Sequence, residues 1–430
     1  MESRQPRKTE REFITTGAQL RPTATVLHQP QSDVRHYQNS PTNLGDAPPS
    51  VLGKSMLFYV VDWLPPDFGA VGQYAVIFAR EIAQSGREVC LIGLTSGAND
   101  TGREQLASGG VLEVKRLSAK RYNKSGLVSR LIWSLRTNLR LIFEVIQDPR
   151  SRGAEILFTG APPFMLFFAI FAKWFRGARL IYRITDFYPE VLIAALGRKP
   201  LLLAFFEQIT WILRKQVNTI QVLGEDQRQL LLARGIAPER IVLKRDVPPV
   251  PISGREKPAP HPVELAGLKV LLYSGNYGVA HEVDTVVEGL IRHHRQGSRR
   301  FGLWLNASGS SVETVTRRLR TAGIPFAVTE PVPLDQLPPL LVAPDAHLIT
   351  LRPGFSGLVV PSKLYGCLHS GRPILFVGPR SSDVHLLCMQ AKSTIYEHVE
   401  PANVPGFAEA LERLAPAAQR MEAIESIMRN

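Results

Sequence analysis

At 430 residues, with 44% hydrophobic residues and a formal charge of +13, the chain is too long for one ordinary domain and is strongly basic. Its three cysteines, Cys90, Cys367 and Cys388, form no CxxC pair and no zinc spacing, which leaves no disulfide framework and suits a reducing cytoplasm. The positive charge favours anionic partners such as nucleic acid, anionic lipid headgroups or a nucleotide diphosphate. No aromatic-basic recognition motif accompanies it, so a nucleic-acid partner is not expected.

The first 50 residues are polar and rich in Pro, Gln, Ser and Thr, with no apolar h-region, so no secretory signal is read. Residues 1–53 carry too little apolar surface to offset ordering entropy and are expected to form a disordered extension. From about Ser55, strand-like runs alternate with helical spacing. Strands are expected at 56–63, 88–94 and 111–117, and a helix at 72–86 ends on a Gly C-cap signal. A helix follows at 126–147, with Arg130, Arg136 and Arg140 among apolar positions. The stretch ILFTGAPPFMLFFAIFA (156–172) approaches a membrane span in length, but Pro162-Pro163 interrupts it. It reads as strand, turn and a helix from about Pro163. A helix apolar nearly all round is either deeply buried or touching lipid, and Lys173, Arg176 and Arg179 would suit a membrane surface.

Strands at 178–186, 218–224 and 240–246 then alternate with helices at 201–216 and 225–235. A run rich in proline and polar residues reads as an interdomain linker, 248–267. The alternation restarts with strands at 269–275, 301–309, 324–331, 346–351 and 373–378. Helices are expected at 281–297, 310–323, 334–344, 362–370 and about 405–428. The fold class is therefore α/β, with parallel sheets covered on both faces in two doubly wound, Rossmann-like halves facing across a cleft. The expected N-terminal domain is 54–247 and the C-terminal domain 268–404, with a helical segment at 405–430 placed to pack back on the N-terminal domain.

Four stretches combine a strand end, a loop and a helix start. WLPPDFGAVGQYA (63–75) holds Gly69 and Gly72, which would let backbone N–H groups approach a ligand; the spacing is not a dinucleotide fingerprint, and an ordinary βα loop reads equally well. In YRITDFYPEVLIAALG (182–197), Asp186 falls at a strand's carboxyl end, where a carboxylate can meet a substrate hydroxyl. Glu190 either shares that role or sits in the next helix's first turn, favoured by the dipole. In YSGNYGVAHEVDTVVEGL (273–290), Gly275, Asn276 and Gly278 would open a backbone pocket, and His281 at the helix start is either a ligand or a structural histidine. His293 and His294 near that helix's end would complement its dipole and solvent. In GFSGLVVPSKLYGCLHSGRP (354–373), Ser362 is a plausible cap and Lys363 lies in a first turn, where a cation is poorly placed. An anion alongside would remove the conflict; a solvated surface lysine is the alternative. Arg352 ends the preceding strand near the same edge.

These four segments, in this order, resemble the GT-B-fold glycosyltransferases, specifically the family-4-like bacterial transferases of surface polysaccharide synthesis. The resemblance covers roughly residues 55–428. It implies a nucleotide-diphosphate-sugar donor on the C-terminal domain, an acceptor facing the N-terminal domain, retention of anomeric configuration, and no dinucleotide, obligatory metal or other cofactor. Carried over, Gly275, Asn276 and Gly278 line the donor diphosphate, Lys363 and Arg352 neutralise it, and Gly69 and Gly72 approach it from the other domain. Asp186 faces the acceptor or donor sugar, which makes Asp186 and Lys363 the candidate catalytic residues.

One departure stands out. Many family-4 enzymes carry two glutamates, with seven residues between them, opening the last of these helices. Here Gly366 stands near the second position, and Ser356, Gly357 and Leu358 fill the region of the first. Ribose and sugar hydroxyls must then find other partners, with Ser356 and Ser362 the nearest side chains. The basic charge and the helices at 163–175 and 126–147 imply an enzyme at the inner face of the cell membrane, with a polyprenyl-diphosphate-linked sugar as acceptor. A cytoplasmic enzyme with a buried helix is the plainer reading. A GT-B-fold nucleotide-sugar epimerase and a non-catalytic nucleotide-sugar-binding protein remain the rivals.

Overall fold

The structure, a computed structural model, describes residues 56–67, 70–120, 127–248, 250–391 and 394–429. The expected disordered extension, residues 1–53, lies outside the described residues.

The N-terminal half is an eight-stranded sheet of order β3-β4-β2-β1-β5-β6-β7-β8. Its strands are β1 (Leu57–Trp63), β2 (Glu88–Thr95), β3 (Asp100–Gln105), β4 (Val111–Ser118), β5 (Glu155–Thr159), β6 (Arg179–Ile184), β7 (Thr219–Val222) and β8 (Ile241–Leu243). All neighbours run parallel except β3, which pairs antiparallel with β4 along the edge. That strand was not expected: DTGREQ is polar throughout and exposed, so it shows no alternation to read. The other seven strands follow from apolar runs rich in Val, Ile and Leu, the pattern of a sheet buried on both faces. On one face, Phe58, Ile92, Ile156 and Leu180 meet helices α2 (Leu127–Gln147), α3 (Met165–Arg176) and α5 (Leu201–Arg214). On the other, Leu57, Tyr59 and Leu91 pack under α1 (Ala70–Gln84). Short α4 (Glu190–Leu196) and α6 (Glu225–Ala233) complete this half.

The C-terminal half is a six-stranded parallel sheet of order β11-β10-β9-β12-β13-β14. Its strands are β9 (Lys269–Asn276), β10 (Phe301–Ser308), β11 (Phe326–Thr329), β12 (Ala346–Thr350), β13 (Ile374–Val377) and β14 (Tyr396–Val399). Strand order reverses between β9 and β12, the topological switch point at which such sheets hold ligands beyond their carboxyl ends. The helices are α7 (Asp284–Gln296), α8 (Val312–Ala322), α9 (Leu337–Leu341), α10 (Lys363–His369), α11 (Asp383–Gln390) and α12 (Val404–Arg429). Strand β14 and helix α11 were not expected. The helix read from residue 281 begins at Asp284 instead, because residues 277–283 fold back as a turn that stacks Tyr277 on Tyr273 with ring centroids 4.1 Å apart.

Helix α12 through Ala415 packs on the C-terminal half, burying Phe407, Leu411 and Leu414. His293 is buried, not solvated as its place near a helix end implied. Its Nε2 accepts from the Arg300 N–H at 3.1 Å, and its Nδ1 meets Glu412 at 2.8 Å, fixing α12 to α7. Residues 244–248 and 250–262 have no regular structure, yet the segment is seated. The Ala259 N–H donates to the Pro339 carbonyl at 3.0 Å, and Leu265 is buried.

The halves are stitched together directly. Asp186 and Val359 form an isolated antiparallel bridge, and the Phe187 N–H donates to the Leu358 carbonyl at 2.9 Å. Beside it, Arg245 pairs with fully buried Asp383 at 2.9 Å, and Asp226 accepts from the Gly357 N–H at 3.1 Å.

Candidate active site

A cleft of about 430 Å³ lies between the two halves, at the β9–β12 switch point. Asp186, Gly275, Asn276, Gly278, His281, Ser362 and Lys363, all expected in the site, line it. The sequence reading placed Asn276 and Lys363 in one hollow, and they share it.

The C-terminal wall is built from the end of β9. Gly275 has φ +108°, a conformation that a residue with Cβ adopts only under strain. A Cβ there would point at Lys363, 3.9 Å from its Cε. Gly309, at φ +121°, lets the chain after β10 pass the Asn276 side chain, with which a Cβ would collide. The Tyr273 hydroxyl donates to the Asn276 carbonyl at 2.9 Å and so fixes the turn.

Lys363 is half-buried overall, but its ammonium nitrogen is out of solvent and has no hydrogen-bond partner. It stands 3.0 Å from the centroid of the Tyr273 ring. Two effects oppose one another here. The ring face favours the cation by about 2 kcal/mol, whereas an uncompensated buried charge costs several kcal/mol. Desolvation therefore wins, and burial holds the Lys363 amine well below its ordinary pKa.

His281 sits beside it. Its Nδ1 lies 2.8 Å from the Thr350 carbonyl oxygen, which can only accept, so Nδ1 carries the proton. Burial, with help from nearby Lys363, lowers the ring's pKa to about 3, so the imidazole is neutral and Nε2 is an acceptor. An acceptor is poorly matched to phosphate oxygen and well matched to a sugar hydroxyl. The structure thus gives His281 hydroxyl-binding chemistry.

On the N-terminal wall, Asp186 follows β6 and is held by its bridge to Val359. Burial raises its carboxyl to a pKa of about 6. Glu190 is structural. It forms a buried ion pair with Arg214, whose other terminal nitrogen donates to the Tyr188 carbonyl at 2.8 Å. The Arg214 guanidinium also lies 4.5 Å from the Trp211 ring centroid.

Three of the expected site residues that the structure describes are not in the cleft lining. Gly72 is buried in α1 against β1, where a Cβ would collide with the Trp63 carbonyl oxygen; the glycine serves helix–strand packing. Arg352 is exposed and its Nη1 donates to the Val279 carbonyl at 3.2 Å. Ser356 pairs with the Ser381 hydroxyl at 3.2 Å, away from the lining. Gly69 lies outside the described residues. Ser362 lines the cleft but does not cap α10, since its side chain makes no cap hydrogen bond. Gly366 lines it too, and a Cβ there would lie 3.1 Å from Leu341, so that end of the cleft is apolar.

Tyr74, Tyr188 and Asn306 also line the cleft and carried no sequence signal. Asn306 is oriented by donating to the Glu330 carbonyl at 2.6 Å and the Thr329 hydroxyl at 2.9 Å, which leaves its carbonyl oxygen unused by either bond.

No protein-family model matches the sequence. A curated relative, the probable glycosyltransferase WbjE of Pseudomonas aeruginosa, is 23% identical over 278 residues, 61% of this chain and 67% of that protein. Among solved structures, the α,α-trehalose 6-phosphate synthase of Burkholderia multivorans superposes with a TM-score of 0.54 at 13% identity, over 87% of this chain and 93% of that one. WaaG, a glycosyltransferase involved in lipopolysaccharide biosynthesis, superposes at 0.53 and 14% identity, over 84% of this chain and 90% of that one. The architecture is that of the GT-B glycosyltransferases, two Rossmann-like domains around one cleft, as the four sequence segments implied.

Proposed function

We propose that this GT-B-fold chain is a retaining glycosyltransferase. It moves a sugar from a nucleotide-diphosphate-sugar to a polyprenyl-diphosphate-linked sugar in surface polysaccharide synthesis. The observation that carries this reading is the unpartnered Lys363 ammonium, buried beside the Gly275–Gly278 turn in a cleft that also holds Asp186. A diphosphate supplies the missing counter-charge. The turn's N–H groups and the ammonium then stabilise the charge that develops as the nucleoside diphosphate leaves an oxocarbenium-like sugar. His281 Nε2 accepts from a donor-sugar hydroxyl. Asp186, ionised above a pH of about 6, accepts from the acceptor hydroxyl and draws off its proton as the new glycosidic bond forms. Retention of configuration comes from the family resemblance alone. The distant relationship to a probable glycosyltransferase supports the reaction class.

The test combines purified full-length chain with UDP and GDP in a calorimeter, then with their sugars and a lipid-linked acceptor, reading product anomer by NMR. Nucleotide binding that disappears in Lys363→Met, and transfer with retention, are expected. Donor isomerisation without acceptor would make the chain an epimerase. Loss of the assigned site would follow if Lys363→Met bound nucleotide as tightly as the parent.

A further inference from the structure

Helices α2, α3, α4 and α5 leave a continuous apolar surface uncovered on the N-terminal half. In α5, Leu201, Leu202 and Phe205 are 90%, 77% and 65% exposed, and Ile212 continues their stripe two turns on. In α3, Phe171, Trp174 and Phe175 form an exposed aromatic cluster, with Phe175 at 71%. The two helices are packed together by Phe167 and Phe206, stacked at 5.1 Å. Helix α2 joins α3 where Asn138 donates to the Pro163 carbonyl at 2.6 Å, and it exposes Leu135, Leu139 and Phe143 at helical spacing. So many large side chains in one place exceed the scattered apolar exposure of an ordinary monomer surface.

The charges on these helices are one-sided. Their three carboxylates are all engaged: Glu190 with Arg214, Glu207 with Lys199 and Arg234, and Glu144 with Lys115. Arg136, Arg198 and Lys215 are exposed among or beside the apolar stripes. Aromatic and leucine side chains on one face, with cations beside them and no free carboxylate on the four helices themselves, are complementary to anionic lipid. Among the described residues no helix is long and apolar enough to cross a membrane.

The face also reaches the cleft. Tyr188 and Val191 at the start of α4 line the cleft, while Leu192 and Leu196 of the same helix are exposed beside α5. We propose that this four-helix face docks on an anionic phospholipid bilayer and holds the cleft mouth at the headgroup level. The docking stands on the face itself; its use in delivering a lipid-linked acceptor rests on the function proposed above.

The experiment is co-sedimentation of the full chain with vesicles of phosphatidylcholine alone and of an equal mixture with phosphatidylglycerol. Nucleotide binding is measured separately without lipid, so either reading can fail alone. Binding to the mixed vesicles is expected. It should weaken at least about tenfold in Leu201→Gln/Leu202→Gln/Phe205→Gln/Phe175→Gln, with nucleotide affinity unchanged. Arg198→Glu/Lys215→Glu should weaken binding to mixed vesicles about fivefold or more and leave weak binding to neutral vesicles alone. Absence of vesicle binding by the parent would overturn the inference. So would equal binding by the fourfold Gln variant, or a parent dimer that this variant converts to a monomer, which would assign the face to a second copy.

Discussion

Two buried basic groups, those of Arg214 and Lys363, sit within one molecule in opposite circumstances. Arg214 is fully buried, yet both terminal nitrogens are engaged, by Glu190 and the Tyr188 carbonyl, and two aromatic rings flank it. Lys363 has a ring face and nothing else. The first has its charge compensated inside the fold, although its Nε has no partner. The second has no compensating charge within hydrogen-bond reach, which makes it the candidate for binding an external anion.

The comparison can be broken most strongly at Arg214. Arg214→Met would leave Glu190 buried without a partner and should destabilise the chain by about 3–5 kcal/mol in urea unfolding. Nucleotide affinity of the molecules that remain folded should be unchanged. A fall in affinity with no loss of stability would reverse the assignment.

Lys363→Met should do the opposite. It removes a charge-assisted contact worth about 2–3 kcal/mol, so calorimetry should show nucleotide affinity falling about 30- to 150-fold. Its melting temperature should match or exceed the parent's, because the empty site no longer strains against a desolvated amine. The same burial couples donor binding to protonation. The free amine is held below its ordinary pKa and a bound diphosphate favours the ammonium, so affinity should weaken as pH rises through the free amine's pKa. Calorimetry in buffers of different ionisation enthalpy reads the proton directly, and a value of zero would place Lys363 as a cation in the empty cleft.

Asp186 gives an effect with a defined sign. Its carboxyl is raised from 3.8 to about 6, so the folded state binds the proton more tightly than the unfolded chain. The resulting stability is complete below the unfolded value and is lost as pH rises through the folded one. Asp186→Asn should therefore be more stable than the parent at about pH 8 by about 3 kcal/mol, and the gap should close toward about pH 4. Transfer activity should be lost at every pH. His281, lowered from 6.5 to about 3, destabilises parent and variant alike as pH falls below about 6.5, where the unfolded chain takes up the proton and the folded one does not, so it cancels from their difference. Gly275→Ala is the smallest change: the strained φ should cost about 1–2 kcal/mol in thermal unfolding, and the added methyl beside Lys363 should raise the nucleotide Kd severalfold.

The alternation of apolar runs with helical spacing made both sheets legible, because parallel strands buried on two faces leave continuous Val, Ile and Leu runs. The polar edge strand β3 has no such run and could not be read. Within the cleft, Gly275, Asn276 and Lys363 were legible because each lies where a strand or loop meets a helix. Gly72 shares that local pattern, and only the tertiary contact with Trp63 shows that its missing side chain serves packing. Arg352 and Ser356 were expected from chain proximity, but their partners, Val279 and Ser381, turn them outward. Tyr74 and Asn306 come to the cleft from a helix and a neighbouring strand, a meeting created only by the fold. The apolar helix at 163–175 was read as either buried or touching lipid, and it is buried on one side only: Met165, Ala169 and Ile170 face the core while Trp174 and Phe175 are exposed.

The main-chain pairing of Asp186 with Val359 ties this carboxylate to the spacing of the two walls. The carboxylate is carried by the N-terminal half but registered by the C-terminal half. Any separation of the halves at this point would unzip the bridge. On the function proposed above, opening the cleft and displacing the candidate base would then be one event.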